Sequence, residues 1–146
     1  MPMPRLPFRI ALIVVGAFQA LSALGGGIGL LVPGSMGMPL WPIEGAGFTS
    51  FLWPALILIV IVGGTQLAAV VTAWIRARGY LFWSAVAGFG MLIWIYVEVW
   101  IMDTVILLHT IYFVSGLLQL ILTVALAGVL PGVIAPERRD VLRKPE

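Results

Sequence analysis

The chain has no cysteine and a single histidine among its 146 residues. The first absence excludes disulfides, thiol redox chemistry and any cysteine-based metal site, and with them the four-helix thiol oxidoreductases. The second excludes a bis-histidine haem, because one imidazole supplies one axial ligand. Charge is scarce too: 10% of residues are charged and 62% are apolar, against about 25% and roughly 45–50% in ordinary soluble domains. A soluble fold of this size hides only about 70% of its unfolded surface, so much of that apolar content would meet water. Lipid is the solvent that fits.

What is present is organised by length. Four apolar segments, about residues 8–32, 51–75, 80–102 and 104–130, each exceed the roughly 20 residues that cross about 30 Å of hydrocarbon at about 1.5 Å per residue. A backbone in lipid must satisfy its own hydrogen bonds, and none of these segments alternates as a membrane β-strand would. The expected fold is therefore all-α: a four-transmembrane-helix antiparallel bundle. PGSMGMPLWPIEGAGFTS, residues 33–50, is too rich in proline and glycine to continue a helix and reads as the one long loop. RARG at 76–79 and the turn at 102–104 are tight connections, the second closing a helical hairpin. Residues 1–130 then form one membrane domain, followed by a charged tail at 131–146. The opening residues share the basic start of a secretory signal, but the apolar run continues through GIGLLV, beyond the roughly 7–15 residues of a signal core. It is expected to stay in the chain as a helix.

Four crossings put every cation, Arg5, Arg9, Arg76, Arg78, Arg138, Arg139, Arg143 and Lys144, on one side. By the positive-inside rule that side is the cytoplasm, so both termini are expected there, in a bacterial cytoplasmic (inner) membrane. The loop with Glu44 and the turn with Asp103 face outward. The tail's four cations are interrupted by Glu137, Asp140 and Glu146, which suits a topology signal with a mild attraction to anionic lipid. The basic residues are too few and too scattered for nucleic acid.

The polar exceptions lie in IWIYVEVWIMDTVILLHTIYF, residues 93–113, which holds Glu98, Asp103 and His109. An ionisable group at the centre of a bilayer costs about 2.5–3.5 kcal/mol, so each calls for a partner or a purpose. Glu98 and His109 stand about five residues either side of the turn, hence level, roughly 8 Å beneath it. Helical spacing aligns His109, Tyr112, Gly116, Gln119, Thr123 and Ala127 on one face, and Ser84, Ala87, Gly88, Met91, Ile95 and Glu98 on another. Small and polar stripes face neighbouring helices in a membrane, so both ionisable groups are expected to point inward. Gly16, Ala20, Ala23 and Gly27, with Gln19 beside them, and Gln66, Ala69 and Ala73 mark the matching faces of the first two helices. Gln19, Gln66 and Gln119, each near the middle of its span, are expected to form a midplane layer of amide hydrogen bonds. Interhelical adhesion is the favoured reading of that layer over a pore lining.

Glu98 and His109 admit two readings. They pair, or bond to Tyr96, Tyr112 or water, as a structural lock between the third and fourth helices; or they form a ligand or proton site together with Asp103, Tyr112 and Gln119. No cofactor and no metal are expected: Glu44, Glu98, Asp103 and His109 could surround zinc only if the long loop folded back over the hairpin. GGGIG, residues 25–29, matches neither the dinucleotide nor the P-loop pattern and reads as close helix packing. Trp41, Trp53, Trp94, Trp100, Phe48 and Phe51 at one end, and Trp74, Tyr80, Phe82 and Trp83 at the other, suit interfacial belts, with the uncharged loop lying across the outer end as a cap.

FLWPALILIVIVGGTQLAAV, MLIWIYVEVWIM and LHTIYFVSGLLQLIL together resemble a widespread group of small, uncharacterised bacterial membrane proteins. The shared features are four helices, a Gly- and Pro-rich outer loop, a proline opening the second helix, and a tryptophan-containing stretch with Glu98 that ends the third. The resemblance implies the same fold and carries no established activity; at position 109 the group would place glutamine more often than histidine. Small multidrug exporters carry their coupling glutamate in the first helix, where this chain has no acid. DoxX-like proteins are similar in size and helix number, without a decisive motif.

The leading functional expectation is non-enzymatic: a bundle that binds a lipid-like molecule, or docks to another membrane protein or to a second copy of itself. The alternative is a proton-coupled small carrier or an intramembrane acid/base enzyme with Glu98 as base and His109 as its partner. A cavity open toward the outer leaflet and lined by Glu98, His109 and Gln119 would favour the alternative, and dry packing around those residues the first. The topology predicts that the thiol of Glu44→Cys reacts with a membrane-impermeant reagent on intact cells and that of Asp140→Cys does not; the reverse labelling would overturn it.

Overall fold

The computed structural model describes residues 4–32 and 37–128. Its regular structure is entirely helical: α1 (Arg5–Leu31), the short α2 (Trp41–Glu44), α3 (Leu52–Trp74), α4 (Tyr80–Met102) and α5 (Leu107–Leu126). The four longer helices are each long and apolar enough to cross a membrane, which makes the chain a multi-pass membrane protein by length and composition. Large apolar side chains cover the outside, Val14, Leu21, Val60, Ile93 and Leu107 among them. Water would not tolerate that surface; hydrocarbon does.

Around the bundle the order is α1, α3, α4, α5, so that α1 packs on α3 and α5, α4 packs on α3 and α5, and α3 and α5 stand diagonally opposite. The small stripes turn inward. Gly16, Ala20, Ala23 and Gly27 of α1, Ala69 and Ala73 of α3, Ser84, Ala87 and Gly88 of α4, and Gly116 and Thr123 of α5 are all buried. Close approach is the reason. A Cβ on Gly27 would collide with Ile59 Cγ1 and lie 3.1 Å from the Ala55 carbonyl oxygen, and one on Gly88 would lie 2.8 Å from Leu120 Cδ2.

The helix bounds differ from expectation in instructive ways. α5 starts at Leu107, because residues 104–106 are not helical, Ile106 being extended, and Asp103 ends α4 in the left-handed region at φ 47°. The loop holds a turn of helix at Trp41–Glu44, with Ile43 and Phe51 buried, and α2 rests against α4. Of the aromatics expected at this end, Phe51 is buried and Trp94 and Phe48 are half-buried, whereas Trp41, Trp53 and Trp100 are exposed. Within α3, residues Ile57–Gly63 form a π-helical stretch. Its wider turn brings the adjacent Val62 and Gly63 both onto the buried face, and the Thr65 hydroxyl donates to the carbonyls of Ile61 (2.7 Å) and Val62 (3.1 Å) at the junction. The expected tail at 131–146 lies outside the described residues.

At the end where the chain begins, the Arg5 guanidinium donates to the carbonyl of Leu126, the last residue of α5. A cation there satisfies an orphan carbonyl and complements the negative end of the helix dipole. Leu12, Leu122 and Leu126 pack beneath it.

Gly25 and Gly27 separate packing from propensity. Gly27→Ala is expected to lower thermal stability in detergent by about 1–3 kcal/mol through overpacking. At Gly25 nothing lies within 4 Å of a new Cβ, so Gly25→Ala should be neutral or stabilising by up to about 1 kcal/mol. Equal effects at the two positions would contradict the observed approach of α1 to α3.

Candidate functional site

At mid-height three amides meet. The two hydrogens of the Gln66 Nε2 group on α3 are shared among three acceptors, Gln19 Oε1 on α1 (2.7 Å), Gln119 Oε1 on α5 (3.0 Å) and the Ala87 carbonyl on α4 (3.1 Å). Gln119 Nε2 returns a bond to Gln66 Oε1 at 3.1 Å. One nitrogen thus touches all four spanning helices, and the reciprocal Gln66–Gln119 pair bridges the diagonal that no backbone contact crosses. All three glutamines are 0% exposed. That burial leaves each amide dependent on partners inside the bundle, since lipid offers no substitute. Gln19 Nε2 is the exception, buried without an acceptor.

Toward the α4–α5 hairpin the interior loosens. Gly88, against Leu120 of α5, lets α4 and α5 run close together, and the register this sets brings His109 Nε2 to 3.8 Å from Glu98 Oε2. That is too long for a hydrogen bond. His109 is engaged elsewhere: its Nδ1 accepts the backbone N–H of Ile106 at 3.3 Å, so the imidazole caps the first turn of α5 from the third helical position. A nitrogen that accepts carries no hydrogen, which places the ring hydrogen of the neutral side chain on Nε2, the atom turned to Glu98. Glu98 is 33% exposed and shares a side-chain hydrogen bond with Trp94, one turn earlier on α4.

Both groups line a cavity of about 240 Å³ whose remaining walls are mostly apolar, from α1 (Ala23, Gly26, Leu30), α4 (Met91, Trp94, Ile95) and α5 (Leu108, Tyr112). A second cavity of about 340 Å³ lies beneath the α2 loop and shares Leu30, Met38, Trp94, Glu98 and Met102 with the first. Glu98 therefore stands at the junction of two apolar chambers. A third hollow, on the face formed by Tyr96, Val99, Val105 and Phe113, reaches His109 from the other side.

The sequence candidates fall into two groups. Glu98, His109 and Tyr112 come together around the first cavity, with Tyr112 also stacked on Phe18 at 5.8 Å. Gln119 belongs to the amide layer and lines none of these cavities, and Asp103 is exposed at the hairpin tip, outside all three linings. Tyr96, weighed as a partner for the pair, is 73% exposed and turned outward. Glu44, Glu98, Asp103 and His109 do not gather: among the described residues no three His, Cys, Asp or Glu side chains share a site. The capping bond of His109 and the Trp94 contact were not foreseen from sequence; Trp94, four residues before Glu98, carried a legible i, i+4 signal. Compared with known proteins, the chain matches no family model, no curated protein and no solved structure.

Replacing Gln66 by leucine should lower stability by about 2 kcal/mol, its bonds being worth roughly 0.6 kcal/mol each. Gln19→Leu removes one bond and an unpartnered donor and should cost under about 1 kcal/mol. Thermal unfolding of both variants in one detergent checks this. An equal or larger loss at Gln19 would mean that Gln66 is not the hub.

Proposed function

We propose that this is a non-enzymatic, multi-pass protein of the bacterial inner membrane, with both termini in the cytoplasm, that binds a lipid-like molecule in the chambers at its α4–α5 end. The carrying observation is the cavity of about 240 Å³, apolar but for a few polar groups, with Glu98 and His109 in its wall and a second chamber sharing Glu98. Concave, mostly apolar space with a few convergent polar groups is what a small amphiphile needs. Docking to another membrane protein, or to a second copy, would use the exposed helix faces instead and would leave these chambers without a role.

The second reading, a proton-coupled small carrier or an intramembrane acid/base enzyme, is favoured by the 3.8 Å approach of His109 to Glu98 and by the cavity the two share, though Gln119, the third residue expected in its lining, is not part of it. Against transport stands the glutamine layer, which fills the centre of the bundle and lines none of the chambers. A blind site suits binding better than passage.

Native mass spectrometry of the purified full chain tests the proposal. A retained lipid-sized mass is expected, and its loss in Ala23→Phe, which grows a ring into the cavity. A bare polypeptide from the native protein, or an adduct unchanged in the variant, would overturn the binding site. Saturable uptake into proteoliposomes driven by a pH gradient and abolished by Glu98→Gln would instead establish the carrier.

A further inference from the structure

Between His109 and Glu98 the hydrogen-bonding sense is set on the imidazole side, and the carboxylate opposite offers acceptor oxygens. The Ile106 N–H occupies His109 Nδ1, so Nε2 presents a hydrogen toward the gap, and protonation of the ring would not change that. Across 3.8 Å stands Glu98 Oε2. The distance exceeds a hydrogen bond but lets one intervening atom reach both groups. The linings of the two chambers that meet at Glu98 contain no lysine or arginine.

Each class of polar head can be placed in that gap. An ammonium would satisfy Glu98 but turn its own N–H groups on the N–H of His109. A carboxylate would accept from His109 but set its oxygens against those of Glu98. A hydroxyl accepts and donates through the same atom. Resting on the binding role proposed above, we infer that the ligand is an amphiphile with a hydroxyl head, such as a long-chain alcohol, whose oxygen accepts from His109 Nε2 and donates to Glu98 Oε2. Its chain runs past Trp94 between the two chambers, where Met38 and Met102 supply an adaptable wall.

The test offers the purified full chain equal concentrations of 1-dodecanol, dodecylamine and dodecanoic acid and counts single adducts by native mass spectrometry. The alcohol should be retained at least about fivefold over the other two, the factor one neutral hydrogen bond is worth. Glu98→Leu should erase that preference, whereas Glu98→Gln, whose amide oxygen still accepts, should keep most of it. Equal or better retention of the amine or the acid, or an alcohol preference that survives Glu98→Leu, would overturn the head-group assignment. If Ala23→Phe still removes the adducts in that case, the binding site itself stands. Failure of all three probes to bind would remove the site and the assignment together.

Discussion

A side-chain amide carried into hydrocarbon must find its partners inside the protein, and in this chain that requirement converges on Gln66. Its nitrogen touches Gln19, Gln119 and the Ala87 backbone, and Gln119 answers in return. Apolar burial cannot distinguish one helix arrangement from another when the solvent is itself apolar. Directional bonds can. The node fixes the height at which four helices meet, and the small residues along each inward face, Gly16, Ala20, Ala69, Ala87 and Gly116, allow the backbones to come near enough for it to close.

The two ends that the node separates are built differently. Toward the chain's start, Leu12, Leu122 and Leu126 fill the interior and Arg5 ties α1 to the end of α5. Toward the α4–α5 hairpin, Ser22, Ala23 and Gly26 of α1 are too small to reach the opposite wall, and space remains beside Met91, Trp94 and Ile95. The loop closes over that space with Ile43 and Phe51 buried. Glu98 and His109 face a volume whose lining includes none of the buried glutamines.

Much of this was legible in advance because lipid makes sequence patterns simple. Uninterrupted apolar runs gave the helices, and stripes such as Ser84, Ala87, Gly88 and Met91 gave their inward faces. The three glutamines stood out as the polar residues near mid-span. The π-helical stretch was not legible: ILIVIVG is uniformly apolar, so a change of turn leaves no trace in its periodicity. The role of His109 as a cap was hidden by placing the start of α5 at 104. Only with the start at Leu107 does His109 become the third helical residue, the position from which a side chain reaches back to the first free N–H. Composition marks Phe51 and Trp94 as interfacial aromatics and does not reveal that the loop packs against them. Local pattern fixes helices and faces; the closure of a loop over a cavity depends on contacts distant in sequence.

The Gln66–Gln119 pair joins α3 to α5 where no backbone contact does. A double-mutant cycle of Gln66→Leu and Gln119→Leu, read by reversible unfolding in one lipid–detergent mixture, measures that bond directly. The reciprocal amide pair predicts a coupling energy of about 1 kcal/mol. Losses that simply add, within about 0.3 kcal/mol, would contradict a bundle organised around Gln66.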